Sequence, residues 1–329
     1  MTTPKLAPWM GVTPIYLGNP GYTKSGKTYT SEPSGLTIYS DGGSKWLFMV
    51  SDNGILAKAV LPPTAPTSPL SWLINPTPDS NDKQYDYESV TFASGNLMIG
   101  IEGDRSSGSS KTPPVVKRFD QNQTSSAQPA GAFTGSSWTL NGIDFGSATN
   151  SGMEALTLVP SGSYPSGWTG GNTPHYGGVF FVAVQALYGQ VYVYELPKGS
   201  GQSTSVSPLQ LGTASNPLQV PSPATANSSA RPLISDMFFD VSSRALYVLY
   251  DGEGSNQTPG DYLQKLTVST SNSATAANAL GQVWAQPLPW LDCEGLAVNG
   301  NDLYISIDSG SSPDNDGVFV LPGVLSRIS

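Results

Sequence analysis

Apolar residues in this chain come in short bursts rather than long stripes. Runs such as Trp46-Leu47-Phe48-Met49-Val50 and Val179-Phe180-Phe181-Val182-Ala183-Val184 are rich in aromatic and β-branched residues. Gly, Pro, Asn, Asp and Ser bound them. No window sustains a helical period, so the pattern predicts strands separated by turns. Read in order, the bursts give segments 35–38, 45–52, 55–61 and 70–75, then 89–92, 96–102, 115–120 and 137–141. They continue with 155–159, 178–185, 190–196 and 209–220, then 236–241, 245–250, 262–268 and 281–288. The last set is 295–298, 302–308 and 317–321.

The first segment of each set opens on one phrase: Ser or Glu, a small residue or Asp, then an apolar residue. The copies are Ser34-Gly35-Leu36, Glu88-Ser89-Val90, Glu154-Ala155-Leu156, Ser235-Asp236-Met237 and Glu294-Gly295-Leu296. Their first residues lie 54, 66, 81 and 59 positions apart. A phrase recurring at periods of about 50 residues marks a propeller or array. Four sets hold four strands and the last holds three, while an orphan burst at 11–17 precedes the first phrase. The expectation is an all-β fold, a five-bladed β-propeller with four antiparallel strands per blade, as one domain over 1–329. The N-terminal strand closes the last blade, which protects the sheet edges. Pro14, lacking an N–H, suits such an outermost strand.

Composition narrows the function. The 36 Gly and 28 Pro are interleaved with the bursts and read as turn punctuation. Fifteen Lys and Arg against 24 Asp and Glu give a net charge of −9. That balance argues against nucleic acid, which needs clustered cations, and against anionic membranes. No apolar run is long enough to span a bilayer. The single cysteine, Cys293, excludes an internal disulfide and a thiolate metal cluster, and reads as a buried structural thiol. The single histidine, His175, sits in a Gly/Pro/Ser-rich segment and reads as an exposed loop residue. The N-terminus carries no hydrophobic leader. Abundant Ser, Thr, Asn and Gly point to an extracytoplasmic location, with a cytoplasmic one left open.

In a propeller the first strand of each blade lines the central channel and the second runs back beside it. The strand-one openers Ser34, Glu88, Glu154, Ser235 and Glu294 therefore approach the strand-two closers Asp52, Glu102, Gln185, Asp251 and Asp308 at one channel mouth. Seven of these ten are carboxylates, and Glu, which occurs only seven times in the chain, fills three of the five opener positions. Glu32, Asp86 and Asp292, two residues before their openers, form a further tier. Crowded carboxylates repel unless protonated or neutralised by a cation. All-oxygen ligation selects a hard cation, and a wide ring of Glu and Ser oxygens suits Ca²⁺ better than Mg²⁺. The expected cofactor is Ca²⁺ on Ser34, Glu88, Glu154, Ser235 and Glu294, some through water, with the closers around it. The alternative is a solvated acidic mouth without a fixed ion.

These motifs in this order resemble the phytase-esterase-like β-propeller family. Ser34-Gly35-Leu36 with Ser51-Asp52-Asn53, Asp86-Tyr87-Glu88 with Glu102, Gly152-Met153-Glu154, Ser235-Asp236-Met237, and Glu294-Gly295-Leu296 with Asp314-Asn315 carry the likeness. The Ser-Glu-Glu-Ser-Glu order is also similar to the calcium-binding ring of the calcium-activated nucleotidase (apyrase) propellers. That resemblance implies a central Ca²⁺ on the matching residues.

Two functions follow. One is a Ca²⁺-dependent phosphoester hydrolase, with Asp52, Glu102, Asp251 or Asp308 taking the proton of a metal-positioned water. Arg105, beside Glu102-Gly103-Asp104, is its candidate anion contact. Lys58, Lys111 and Arg231 are weaker candidates, each read first as a solvated surface charge. The other is a non-catalytic propeller with a structural Ca²⁺, meeting a carbohydrate or protein through Trp138, Tyr164, Trp168, Tyr176 and Tyr188. Blade packing is the competing reading for these aromatics, preferred for Tyr188 but not for Trp168.

Overall fold

The computed structural model describes residues 5–24, 27–29, 31–76, 86–102, 113–120, 132–142, 152–168, 175–184, 189–198, 203–213, 216–221, 233–251, 261–308 and 316–328. Its strands run β1 (Ile15–Gly18), β2 (Tyr22–Lys24), β3 (Lys27–Tyr29), β4 (Pro33–Ser40), β5 (Lys45–Ser51), β6 (Ile55–Leu61) and β7 (Trp72–Pro76). Then come β8 (Tyr87–Ala93), β9 (Asn96–Ile101), β10 (Val115–Asp120), β11 (Ala132–Leu140), β12 (Met153–Pro160), β13 (Gly178–Val184), β14 (Gln190–Tyr194), β15 (Ser203–Val206) and β16 (Leu218–Gln219). The last are β17 (Leu233–Asp240), β18 (Ala245–Asp251), β19 (Tyr262–Val268), β20 (Leu280–Pro287), β21 (Cys293–Asn299), β22 (Asp302–Ile307) and β23 (Gly317–Leu321).

Beside a two-stranded hairpin of β2 and β3, the blade sheets are β4-β5-β6-β7, β8-β9-β10-β11, β12-β13-β14-β16, β17-β18-β19-β20 and β21-β22-β23-β1. Each is antiparallel, and the five stand in a ring. The chain is a five-bladed β-propeller. The N-terminal strand β1 closes the last blade by pairing with β23, as expected. Each strand alternates its side chains between two faces, and each face meets a different neighbouring blade. Five apolar clusters result, one at each blade interface. Phe48, Val50, Leu56, Val90 and Ile99 fill that between blades one and two. Leu17, Leu36, Tyr304 and Val320 fill that between five and one.

Blade three departs from expectation. Its outer strand was expected over 209–220 but is only Leu218–Gln219. The connection before it supplies β15, which pairs in parallel with β11 and extends blade two to five strands. No helix among the described residues is long and apolar enough to cross a membrane.

Small residues let the inner strands approach. A methyl on Gly35 would stand 2.6 Å from Ser89 Cα, and one on Gly295 would collide with the Ser34 carbonyl oxygen and the Ser306 hydroxyl. Across that close contact Ser306 Oγ donates to Ser34 O at 2.8 Å, joining blade five to blade one.

Candidate metal centre at the head of the inner strands

Each inner strand breaks register with its neighbour once, and the break falls at the opener. In blade two Tyr87 faces Ile101 and Ser89 faces Gly100, so Glu88 is an extra residue. Glu154, Ser235 and Glu294 occupy the same place in blades three, four and five. In blade one the shift lies between Pro33 and Leu36, spanning Ser34. A bulge leaves one residue out of the ladder and re-aims its side chain. Five bulges at one level therefore set five openers apart from the sheets that carry them.

The closers meet them by a repeated backbone bond. Asp52 N donates to Glu32 O, Glu102 N to Asp86 O and Asp308 N to Asp292 O, at 3.3, 3.1 and 3.0 Å. In blade four Asp251 lies opposite Leu233. Each of these four closers is thus held beside the residue two before an opener. Side chains tie the ring further. Ser34 Oγ donates to the Asp52 carboxylate. Ser235 Oγ donates to Cys293 O at 2.9 Å, and Gly152 N donates to Glu102 Oε1 at 2.9 Å, both across blade boundaries.

Asp52, Asp86 and Glu88 each offer a carboxylate oxygen, and the three oxygens lie within 4.8 Å of one another. Oxygens on opposite sides of a Ca²⁺, each about 2.4 Å from it, stand about 4.8 Å apart. The donor set fits a hard cation. Asp86, expected in the further tier, is thus one of the three clustered carboxylates.

Burial raises the Asp52 carboxyl well above the ordinary carboxylate range, against the Ser34 hydroxyl, and Asp86, Asp308 and Glu32 push the same way as burial. Burial does the same to Glu88, reinforced by Asp52, Glu154, Asp86 and Glu102. Glu294 is raised by burial and then by Asp251, Glu154, Asp52 and Asp308. Glu294 on blade five therefore feels carboxylates of blades one, three and four. A cation or protons must offset this repulsion.

Gln185, Arg105, Lys111, Arg231, Tyr188 and the Asp314-Asn315 pair lie outside the described residues. Lys58 contradicts its reading as a solvated charge. It is buried mid-strand in β6, with Nζ 4.9 Å from the centre of the Trp46 ring, and burial lowers its pKa. The aromatics expected at a binding surface are also corrected. Trp138, Tyr164, Trp168 and Tyr176 are all buried, and Trp168 packs on Tyr164 and Phe181 between blades three and four. Loop position hid this for Tyr164, Trp168 and Tyr176, whereas Trp138 lies within β11, opposite Val116. Cys293 is a buried free thiol, and burial and Asp261 hold its pKa up. His175 is half-buried, its Nδ1 accepting from Gly177 N at 3.1 Å.

One residue of consequence was not singled out by the sequence. Asp236, fully buried, accepts from its own neighbour Met237 N at 2.7 Å, from Leu296 N at 2.7 Å and from Leu36 N at 3.5 Å. One carboxylate thus links blades four, five and one just below the acidic ring. A lone Asp where the other phrases carry Gly, Ser or Ala was the available signal.

No family model matches the chain, and no curated protein matches it. Among solved structures it is similar to a candidate glycoside hydrolase from Parabacteroides distasonis, at 12% identity over 98% of this chain and 97% of that one, with a TM-score of 0.48. It is also similar to the PQQ-bound aldose sugar dehydrogenase of Streptomyces coelicolor, at 12% identity over 96% and 99%, TM-score 0.45. The Malassezia sympodialis allergen Mala s 1 follows at 10% identity over 94% and 88%, TM-score 0.42. At these identities and scores the likenesses transfer no function, and a shared fold does not imply one.

Proposed function

We propose that the chain is a calcium-binding propeller of the phytase-esterase-like type and acts as a Ca²⁺-dependent phosphoester hydrolase at its acidic mouth. The observation that carries the reading is the Asp52–Asp86–Glu88 cluster, three carboxylate oxygens within 4.8 Å at the level of the five bulges. Ser34, Glu154, Ser235 and Glu294 complete the ring, directly or through water. Bound Ca²⁺ would polarise a phosphoryl oxygen and position a water there. Asp251, Asp308 and Glu102 stand at the closing ends of their strands, where a carboxylate can accept that water's proton.

The test is turnover of p-nitrophenyl phosphate, phytate and nucleoside diphosphates with Ca²⁺ and with EDTA. Calcium-dependent hydrolysis of at least one is expected, and its absence on all of them rejects catalysis. A structural role for the ion has its own support. The bonds from Ser235 to Cys293 and from Gly152 to Glu102 cross blade boundaries within the ring, so an ion there also braces the closure. In that case EDTA lowers Tm even without turnover, since a ligand bound only to the native state stabilises it.

A further inference from the structure

The inner strands leave the channel at its other end, and a cavity of about 650 Å³ opens there. That volume is of drug-sized-ligand scale. Every blade contributes, always from residues three or more past the opener. Ile38, Phe92, Leu158, Phe238 and Val298 make its apolar wall, and Tyr39 stacks on Phe92 at 3.6 Å between ring centres. Thr91 and Thr157 are buried in its lining. Their hydroxyl oxygens accept Leu158 N and Phe239 N, each at 3.1 Å, which leaves each hydroxyl its proton to donate.

Charge decides what fits. Among the described residues two charged side chains line the cavity, Lys45 and Asp240. The Asp240 carboxylate is taken up by its own turn, accepting from the N–H and hydroxyl groups of Ser242 and Ser243 at 2.5–3.1 Å. Lys45 Nζ has a neutral partner, Asn299 Oδ1 at 2.6 Å. The lining therefore carries one ammonium held by a neutral partner and one carboxylate occupied by its own turn, above an apolar bowl.

We propose that this cavity is a second ligand site, separate from the acidic mouth, for a small amphipathic anion. Its apolar body, the size of one or two rings or a short acyl chain, lies against Phe92, Leu158 and Val298. Its carboxylate or sulfonate head meets Lys45, and any carbonyl or hydroxyl oxygen on the body meets the Thr91 and Thr157 protons. Occupancy does not depend on metal at the other mouth.

The probe is 1-anilinonaphthalene-8-sulfonate, followed by fluorescence with the full chain in Ca²⁺ and in EDTA. Saturable binding at one probe per chain is expected in both, displaced by dodecanoate and not by dodecyltrimethylammonium. Lys45→Glu, at an exposed position, should weaken the sulfonate about fivefold, the scale of an exposed ion pair. It should leave uncharged N-phenyl-1-naphthylamine unchanged. Ser40→Trp, also exposed, should block both dyes. Tm of each variant should match the parent. No saturable binding, or parental affinity for the sulfonate in Ser40→Trp, overturns the site. Parental sulfonate affinity in Lys45→Glu overturns the anion assignment.

Discussion

The two ends of the channel are built by the same five strands and could hardly differ more. At the entry each strand carries a bulge, and Ser34, Glu88, Glu154, Ser235 and Glu294 stand clear of the ladder among Asp52, Asp86, Glu102, Asp251 and Asp308. At the exit the register is regular, and Thr37, Thr91, Thr157, Phe92, Phe238 and Val298 make a nearly uncharged bowl. Between them Asp236 ties blades four, five and one. A few residues of inner strand are thus enough to separate an acidic mouth from a largely apolar one. The bulge makes the difference, because it frees one residue per blade from the alternation that governs the rest.

The largest effect should come from breaking what both ends share. Asp236→Ala orphans the buried amides of Leu36, Leu296 and Met237, at about 1–3 kcal/mol each. A loss of about 3 kcal/mol or more in urea unfolding is expected, and a loss below about 1 kcal/mol would show that the axial tie contributes little. Next comes the acidic end alone. Glu88→Gln should weaken Ca²⁺ at least tenfold, about 1.4 kcal/mol, as read by calorimetry, while the naphthalene dye at the exit binds as before. Weakened dye binding would mean that the two ends are coupled.

The exit can be perturbed in turn. Thr157→Val removes the acceptor of Phe239 N and should cost about 1–3 kcal/mol of stability with no change in Ca²⁺ affinity. The smallest effect is in pH. Burial and mutual repulsion raise Asp52, Glu88 and Glu294, so the metal-free folded chain holds protons that the unfolded chain releases above about pH 4. Stability then falls as pH rises through the raised values and is regained on acidification. Calcium replaces those protons, so its gain in Tm should be larger at about pH 8 than at about pH 5. An equal gain at both would mean that the ring is not protonated when empty.

The five-fold phrase made the blades legible, since each copy begins an inner strand and antiparallel return brings the closers back beside the openers. Closure by β1 was legible for the same reason, from one set short of a strand and one orphan. The bulges were not. A register shift of one residue leaves no mark in the order of Glu88-Ser89-Val90, because it depends on what Ile101 and Gly100 face across the sheet. Blade three's outer strand was overdrawn: of 209–220 only Leu218 and Gln219 pair with β14, while 203–206, outside that segment, adds to blade two. Trp168 was misread because burial of a loop aromatic depends on where the loop folds back, and the residues around it are small and polar.

Titration of EDTA-stripped protein with CaCl₂ by calorimetry at neutral pH, run beside the Asp52→Asn/Asp86→Asn/Glu88→Gln triple variant, tests the metal centre most directly. Saturable Ca²⁺ binding with a matching rise in Tm is expected for the parent, and neither for the variant. No saturable heat in the parent, or the same binding in a folded triple variant, would contradict a calcium site at the head of the inner strands.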